Sequence, residues 1–291
     1  MRYLSILLVM SICAVMQAVT PVRTVLLYPN GAPDSNGYAP EDEYVKEGTK
    51  FFRTAVPRLD LYVPASATAQ SPCPVLLVCP GGGYSFTSTG NEGIDVANYF
   101  LPRNIAIAVL KYRMPNGHET IPLTDAMQAM RLLRDSADAW HLKAQHIGVM
   151  GFSAGGHLAA SLVTKFADAK SRPDYGVLIY PVISMADELT HRGSCRELLG
   201  QNPTAEQRER WSADKQVTAD TPPCVIVACQ DDRTVKVANS LRMFEALTAN
   251  HVPATLVVVP TGGHGWGYLR QFADREQIDQ AVLSFIQSHC R

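Results

Sequence analysis

Three stretches of the 291-residue chain hold side chains able to share one reaction: 151-GFSAGGHLAASL-162, 230-QDDRTV-235 and 260-PTGGHGWG-267. A serine hydroxyl is a weak nucleophile until a base, usually histidine, removes its proton and an acid orients that base. Ser153 sits in Gly151-Phe152-Ser153-Ala154-Gly155, the Gly-x-Ser-x-Gly pattern of a nucleophile carried on a sharp strand-to-helix turn. The rival reading is a helix cap, since serine is favoured at that position. A capping box would want Glu or Gln three residues on, where Gly156 stands, and paired glycines in a first turn weaken the helix by roughly 1 kcal/mol each. Glycine at 151 and 155 instead removes side chains that a tight turn would press against neighbouring backbone.

In chains of this pattern the acid follows the serine and the histidine follows the acid. The order assigns His264, flanked by glycines, as base, with Asp231 and Asp232 competing for the acid and Asp232 favoured. A tetrahedral intermediate needs preorganised backbone donors. The segment 80-PGGGYSF-86 supplies Gly82 and Gly83, and the amide of Ala154 follows the nucleophile. The remaining histidines, 118, 141, 146, 157, 191, 251 and 289, read as surface or packing residues.

These groups must be held by elements, and the apolar runs supply eight strands: 24-TVLLY-28, 59-LDLYV-63, 75-VLLVC-79, 105-IAIAVL-110, 146-HIGVM-150, 177-VLIY-180, 224-CVIVAC-229 and 255-TLVVV-259. Helical spacing falls at about 93–101, 124–140, 154–166, 237–250 and 274–289, with Ala126, Met127, Met130, Leu133 and Ala137 as the core stripe of the second. Strands alternating with helices imply an α/β class, a mostly parallel sheet covered on both faces. Segments 80–86, 230–235 and 260–267 each follow a strand, where open α/β sheets build their sites. The polar stretch 181–222 is read as an irregular, partial cap over one sheet end.

Formal net charge is −1 and no basic run exceeds two residues, which excludes the electrostatic footprint of a nucleic-acid or anionic-membrane partner. No CxxC, HExxH or other metal-ligand spacing occurs. Residues 1–18, one arginine and then an apolar run, read as a secretory leader shorter than the roughly 20 residues of a membrane span. An uncleaved anchor is the alternative, and bulky Ile12 argues against a lipid-bearing Cys13. Residues 19–291 then form one domain, exported to the periplasm or outside the cell, with no stable membrane insertion. Six cysteines remain, an even number that permits disulfides. Cys79, Cys224 and Cys229 read instead as buried thiols, the last two on opposite faces of one strand.

From about residue 26 to 286 the chain resembles the secreted α/β-hydrolase esterases described as acetyl-xylan-esterase-like or feruloyl-esterase-like, relatives of the hormone-sensitive-lipase type. The resemblance rests on LLYPNGAP at 26–33, VCPGGGYSF at 78–86, NEG at 91–93, LKYRMP at 110–115, PLTDAMQAMRLLR at 122–134, IGVMGFSAGGHLAASL at 147–162, RPDYGVLIYPVIS at 172–184, LLG at 198–200 and GGHGWG at 262–267. It implies a triad of Ser153, Asp232 and His264, an oxyanion loop at Gly82 and Gly83, and no metal or organic cofactor. Two departures are visible: Pro80 where lipase relatives carry histidine, and Lys236 in place of a frequent proline.

The expected activity is carboxylic ester hydrolysis through an acyl-enzyme, on acetyl or feruloyl groups of xylan-type oligo- or polysaccharides. The alternatives are a prolyl-type serine peptidase, a general short-chain carboxylesterase or lipase, and a noncatalytic hydrolase-fold binding module.

Overall fold

The central apolar runs, 73–79, 106–111, 147–152, 176–179 and 224–229, are buried on both sides, the condition that makes β-branched and apolar residues form central parallel strands. The edge runs 23–26 and 254–259 are partly exposed. The computed structural model describes residues 19–268 and 271–290, so the expected leader at 1–18 lies outside the described residues. In chain order the strands are β1 (Arg23–Leu26), β2 (Tyr44–Lys46), β3 (Lys50–Phe52), β4 (Arg58–Tyr62), β5 (Cys73–Cys79), β6 (Phe86–Ser88), β7 (Ala106–Lys111), β8 (Leu142–Phe152), β9 (Gly176–Ile179), β10 (Cys224–Cys229) and β11 (Ala254–Val259). The helices are α1 (Asp95–Phe100), α2 (Ile121–Asp135), α3 (Ser153–Lys165), α4 (Arg192–Leu199), α5 (Ala205–Arg210), α6 (Ala238–Ala249) and α7 (Arg275–Ser288).

Eight strands form one sheet in the order β1-β4-β7-β5-β8-β9-β10-β11, the eight read from the sequence. All neighbours from β7 to β11 run parallel, while β4 is antiparallel to both β7 and β1. Registers Cys79 with Gly151, Phe152 with Ile179, Ile179 with Val227 and Cys229 with Val259 bring the carboxyl ends of five successive strands to one edge. The segments that follow β5, β8, β10 and β11 at that edge carry the candidate site residues.

The sheet separates two apolar clusters. One packs α2, α3 and α6 through residues such as Met130, Leu158 and Met243; the other packs α1 and α7 through Phe100, Ile278 and Val282. Cys224 and Cys229 fall in different clusters, on opposite faces of β10. Helix α3 is buried from Ser153 to Val163, all but its last two residues, so small residues dominate where it presses on the sheet.

Three features depart from the sequence reading. Helix α2 starts at Ile121, ahead of Pro122, because proline lacks only an N–H that the first turn leaves unpaired. The segment 181–222 is not irregular throughout, since it contains α4 and α5. Thr204 and Gln207 form a reciprocal capping box at the start of α5. A second, three-stranded antiparallel sheet, β2-β3-β6, stands beside the main one; its strands are three residues each, too short for an alternation signal.

Candidate active site

Strand β8 ends at Phe152 and α3 begins at Ser153 with no residue between them. The turn holds Ser153 at φ +55°, the left-handed region that costs a non-glycine residue energy. The close approaches explain both flanking glycines. A methyl group on Gly151 would lie 2.2 Å from the Gly155 carbonyl oxygen, and one on Gly155 would lie 2.1 Å from that of Cys79. Phe152 occupies the N-cap, with no side-chain cap bond, so helix capping does not account for the serine.

The Ser153 hydroxyl instead meets His264. Its Oγ lies 2.9 Å from Nε2, and His264 Nδ1 lies 2.6 Å from Asp232 Oδ2. A carboxylate only accepts, so the proton sits on Nδ1 and the Nε2 lone pair faces the hydroxyl. The second Asp232 oxygen accepts the amides of Thr234 and Val235, which locks the carboxylate in the turn after β10. Asp231 points elsewhere: its oxygens accept the amides of Gly263 at 2.7 Å and Gly262 at 3.4 Å. The two adjacent aspartates therefore divide the work, one on the imidazole and one on the loop that carries it.

Gly82 and Gly83 line a cavity of about 410 Å³ together with Ser153, Glu92, His191 and His264. Gly82 has φ +133°, and a methyl there would lie 2.0 Å from the Phe86 carbonyl oxygen, so only glycine fits the loop. Ala154 is fully buried under the turn, directly after the serine. The loop is fastened from below. Tyr84 Oη lies 2.8 Å from His157 Nδ1, and His157 Nε2 donates to the Trp211 carbonyl at 2.7 Å. Nε2 thus holds the proton, and Nδ1 accepts from the tyrosine. Burial pushes the His157 imidazole down to about 4.

Two functional neighbours escaped the sequence reading. Glu92, buried in a π-turn ahead of α1, accepts the Gly81 amide at 2.7 Å and the Tyr180 hydroxyl at 2.8 Å. Tyr180, at the end of β9, accepts the Gly267 amide at 2.9 Å and packs its ring 4.7 Å from that of His264. One carboxylate thus ties the glycine loop to the histidine loop, and burial raises its pKa above the usual carboxylate range. The only signal was the NEG motif, whose glutamate had no assigned partner. His191, read as a surface or packing residue, caps α4 by accepting the Ser194 amide and borders the cavity; burial lowers its pKa. Among the described residues, no group of three or more His, Cys, Asp or Glu side chains is placed to hold a metal ion.

A mainly parallel sheet with Ser153 on the β8–α3 turn and His264 after the last strand is the architecture of an α/β hydrolase, and solved structures agree. An acetyl ester-xyloside bifunctional hydrolase from Caldicellulosiruptor lactoaceticus superposes with TM-score 0.80 at 33% identity, covering 93% of this chain and 97% of that one. The α/β hydrolase MGS-M1, from a deep-sea metagenome library, superposes with TM-score 0.64 at 25% identity, over 81% and 92% of the two chains. The BD-FAE family model matches residues 59–247, and the chain belongs to that family. An acetylxylan esterase of Xylanibacter ruminicola is 35% identical over 213 residues, covering 72% of this chain and 44% of that protein. Endo-1,4-beta-xylanase B of Butyrivibrio fibrisolvens is 36% identical over 239 residues, or 77% and 36%. The chain spans less than half the length of these two relatives.

Proposed function

We propose that the protein is a serine carboxylic ester hydrolase that removes acetyl groups, or feruloyl groups, from xylan-type oligo- or polysaccharides. The observation that carries this reading is the continuous relay from Ser153 Oγ to His264 Nε2 and from Nδ1 to Asp232, opening into a cavity beside the glycine loop. His264 takes the serine proton as Oγ attacks the ester carbonyl, and Asp232 stabilises the imidazolium. The amides of Gly82, Gly83 and Ala154 receive the oxyanion. The imidazolium then gives its proton to the sugar ester oxygen as the C–O bond breaks, so that the sugar leaves as a free hydroxyl, and water activated by the same histidine attacks the acyl-serine and releases the acid.

The carbohydrate side of the proposal is supported by the acetylxylan esterase and the acetyl ester-xyloside hydrolase among the similar proteins. A prolyl peptidase, a general carboxylesterase and a noncatalytic module find no comparable support. We further propose that residues 19–291 act as one domain, exported after a leader at 1–18 is removed. In it, 181–222 serves as a partial cap, a role supported by His191 and Gly193 on the cavity wall.

Ser153→Ala is expected to lower kcat on an aryl acetate by a factor on the order of 10⁶ and to abolish labelling by a fluorophosphonate. Unchanged turnover would overturn the assignment. Acetylated xylan, a feruloyl ester and a prolyl amide tested side by side choose among the substrate classes.

A further inference from the structure

The small sheet β2-β3-β6 has one face turned toward the body of the protein and one turned away. Side chains alternate along a strand, so the register separates the two faces. Val45, Phe51 and Thr87 form one row. Thr87 is buried and Phe51 lies under the cations of Arg58 and Lys111, which marks the inner side. Tyr44, Phe52 and Phe86 form the adjacent row on the other face, with ring centroids 4.9 Å apart at both steps. Lys46, Lys50 and Ser88 form the next row on that same face.

This outer face runs directly into the reaction cavity. Phe86, Ser88 and Lys50 line the cavity that Ser153 and His264 also line. Moving away from the serine, Phe86 and Phe52 are half-buried, and Tyr44 is 41% exposed. Lys50 is paired with Glu47 at 2.6 Å, whereas Lys46 rests over the rings of Tyr44 and Phe52, 5.6 and 5.2 Å from their centroids. An aromatic row two strand spacings long, about 10 Å, flanked by ammonium and hydroxyl groups, is amphipathic in the way a sugar is. Apolar ring C–H groups can pack along it while hydroxyls meet Lys46, Lys50 and Ser88.

We propose that this face is an accessory subsite for the carbohydrate chain, holding sugar units beyond the one whose ester lies at Ser153. The inference rests on the reading that the alcohol side of the substrate is a carbohydrate. Its consequence is that a small aryl ester, which ends inside the cavity, never touches Tyr44 or Lys46, whereas an esterified oligosaccharide does. Contacts of this kind, remote from the reacting bond, raise kcat/KM only for substrates long enough to make them.

The test measures kcat/KM for wild type, Tyr44→Ala and Lys46→Ala on acetylated xylo-oligosaccharides and on p-nitrophenyl acetate. It also measures binding of unesterified xylo-oligosaccharides by titration calorimetry to Ser153→Ala with and without Tyr44→Ala. The expected result is a loss of about tenfold on the oligosaccharide ester for Tyr44→Ala, and weaker calorimetric binding, with p-nitrophenyl acetate turnover unchanged. If both substrates suffer equally, or neither changes, the subsite is overturned while the carbohydrate reading stands on the wild-type oligosaccharide activity. If wild type cleaves p-nitrophenyl acetate but no acetylated oligosaccharide, the carbohydrate reading fails and the subsite falls with it.

Discussion

Acid should destabilise the fold through a buried residue, His157, whose ring nitrogens bond neither Ser153 nor Asp232. His157 is fully buried, with its Nδ1 accepting from Tyr84 and its Nε2 donating to Trp211. Burial lowers its pKa from 6.5 to about 4. As the pH falls below the unfolded value, the unfolded chain takes up a proton that the folded chain refuses until the lower value is reached. Stability from this group is therefore complete above about pH 7 and is lost progressively down to the folded pKa. Over the interval from about pH 7 to about pH 5 the linkage amounts to about 2 kcal/mol. His157→Gln replaces the imidazole with a side chain that does not titrate. Urea unfolding of both proteins, followed by tryptophan fluorescence at the two pH values, should show the wild-type advantage shrinking by that amount as the pH falls. In the folded chain Nδ1 stays unprotonated until the pH nears about 4, so the Tyr84 bond should persist across this interval and turnover should not follow stability through this group. A wild-type-minus-variant difference that stays constant across the interval would refute the reasoning.

Four substitutions probe the rest of the site. Asp232→Asn should lower kcat by about 10⁴ through the wrong imidazole tautomer, and Asp231→Asn far less, because asparagine keeps an acceptor for Gly263; the reverse order in steady-state kinetics would exchange their roles. Glu92→Gln presents an amide donor to either the Gly81 N–H or the Tyr180 hydroxyl, leaving one buried donor without an acceptor, at a cost of about 1–3 kcal/mol in thermal unfolding. An unchanged melting curve would show that the carboxylate does not bind the two loops together. Gly155→Ala drives a methyl into the backbone carbonyls of Cys79 and Pro80, so it should cost about 3 kcal/mol or yield no folded protein, as read by circular dichroism.

The strands were legible because they rest on local chemistry, and the motifs after them named the serine, acid and histidine that the structure brings within hydrogen-bond distance. Continuous apolar runs such as VLLVC and CVIVAC admit few alternatives to buried strands, and the segments after them are rich in glycine and aspartate. What escaped depends on contacts between distant segments. Asp232 was favoured over Asp231, but the physical reason lies in the turn after β10, which aims one carboxylate at His264 and the other at the amides of Gly262 and Gly263. Glu92 matters because Gly81 and Tyr180 reach it from two other segments, and Tyr180 in turn accepts the Gly267 amide. The helices α4 and α5 were hidden by length and polarity, although the Thr204–Gln207 box was there to be read. The outer sheet escaped because three-residue strands acquire meaning only when paired.

The reacting side chains and the surfaces around them come from separate parts of the chain. Ser153, Asp232 and His264 leave the carboxyl ends of β8, β10 and β11, whereas the aromatic row comes mainly from the 44–52 hairpin and the His191 wall from the segment after β9. On the proposed reading, the reaction and the choice of alcohol are encoded in modules that can change independently. Grafting a different hairpin between β1 and β4, or a different segment between β9 and β10, is a route to new ester preferences that leaves the hydrolytic relay in place.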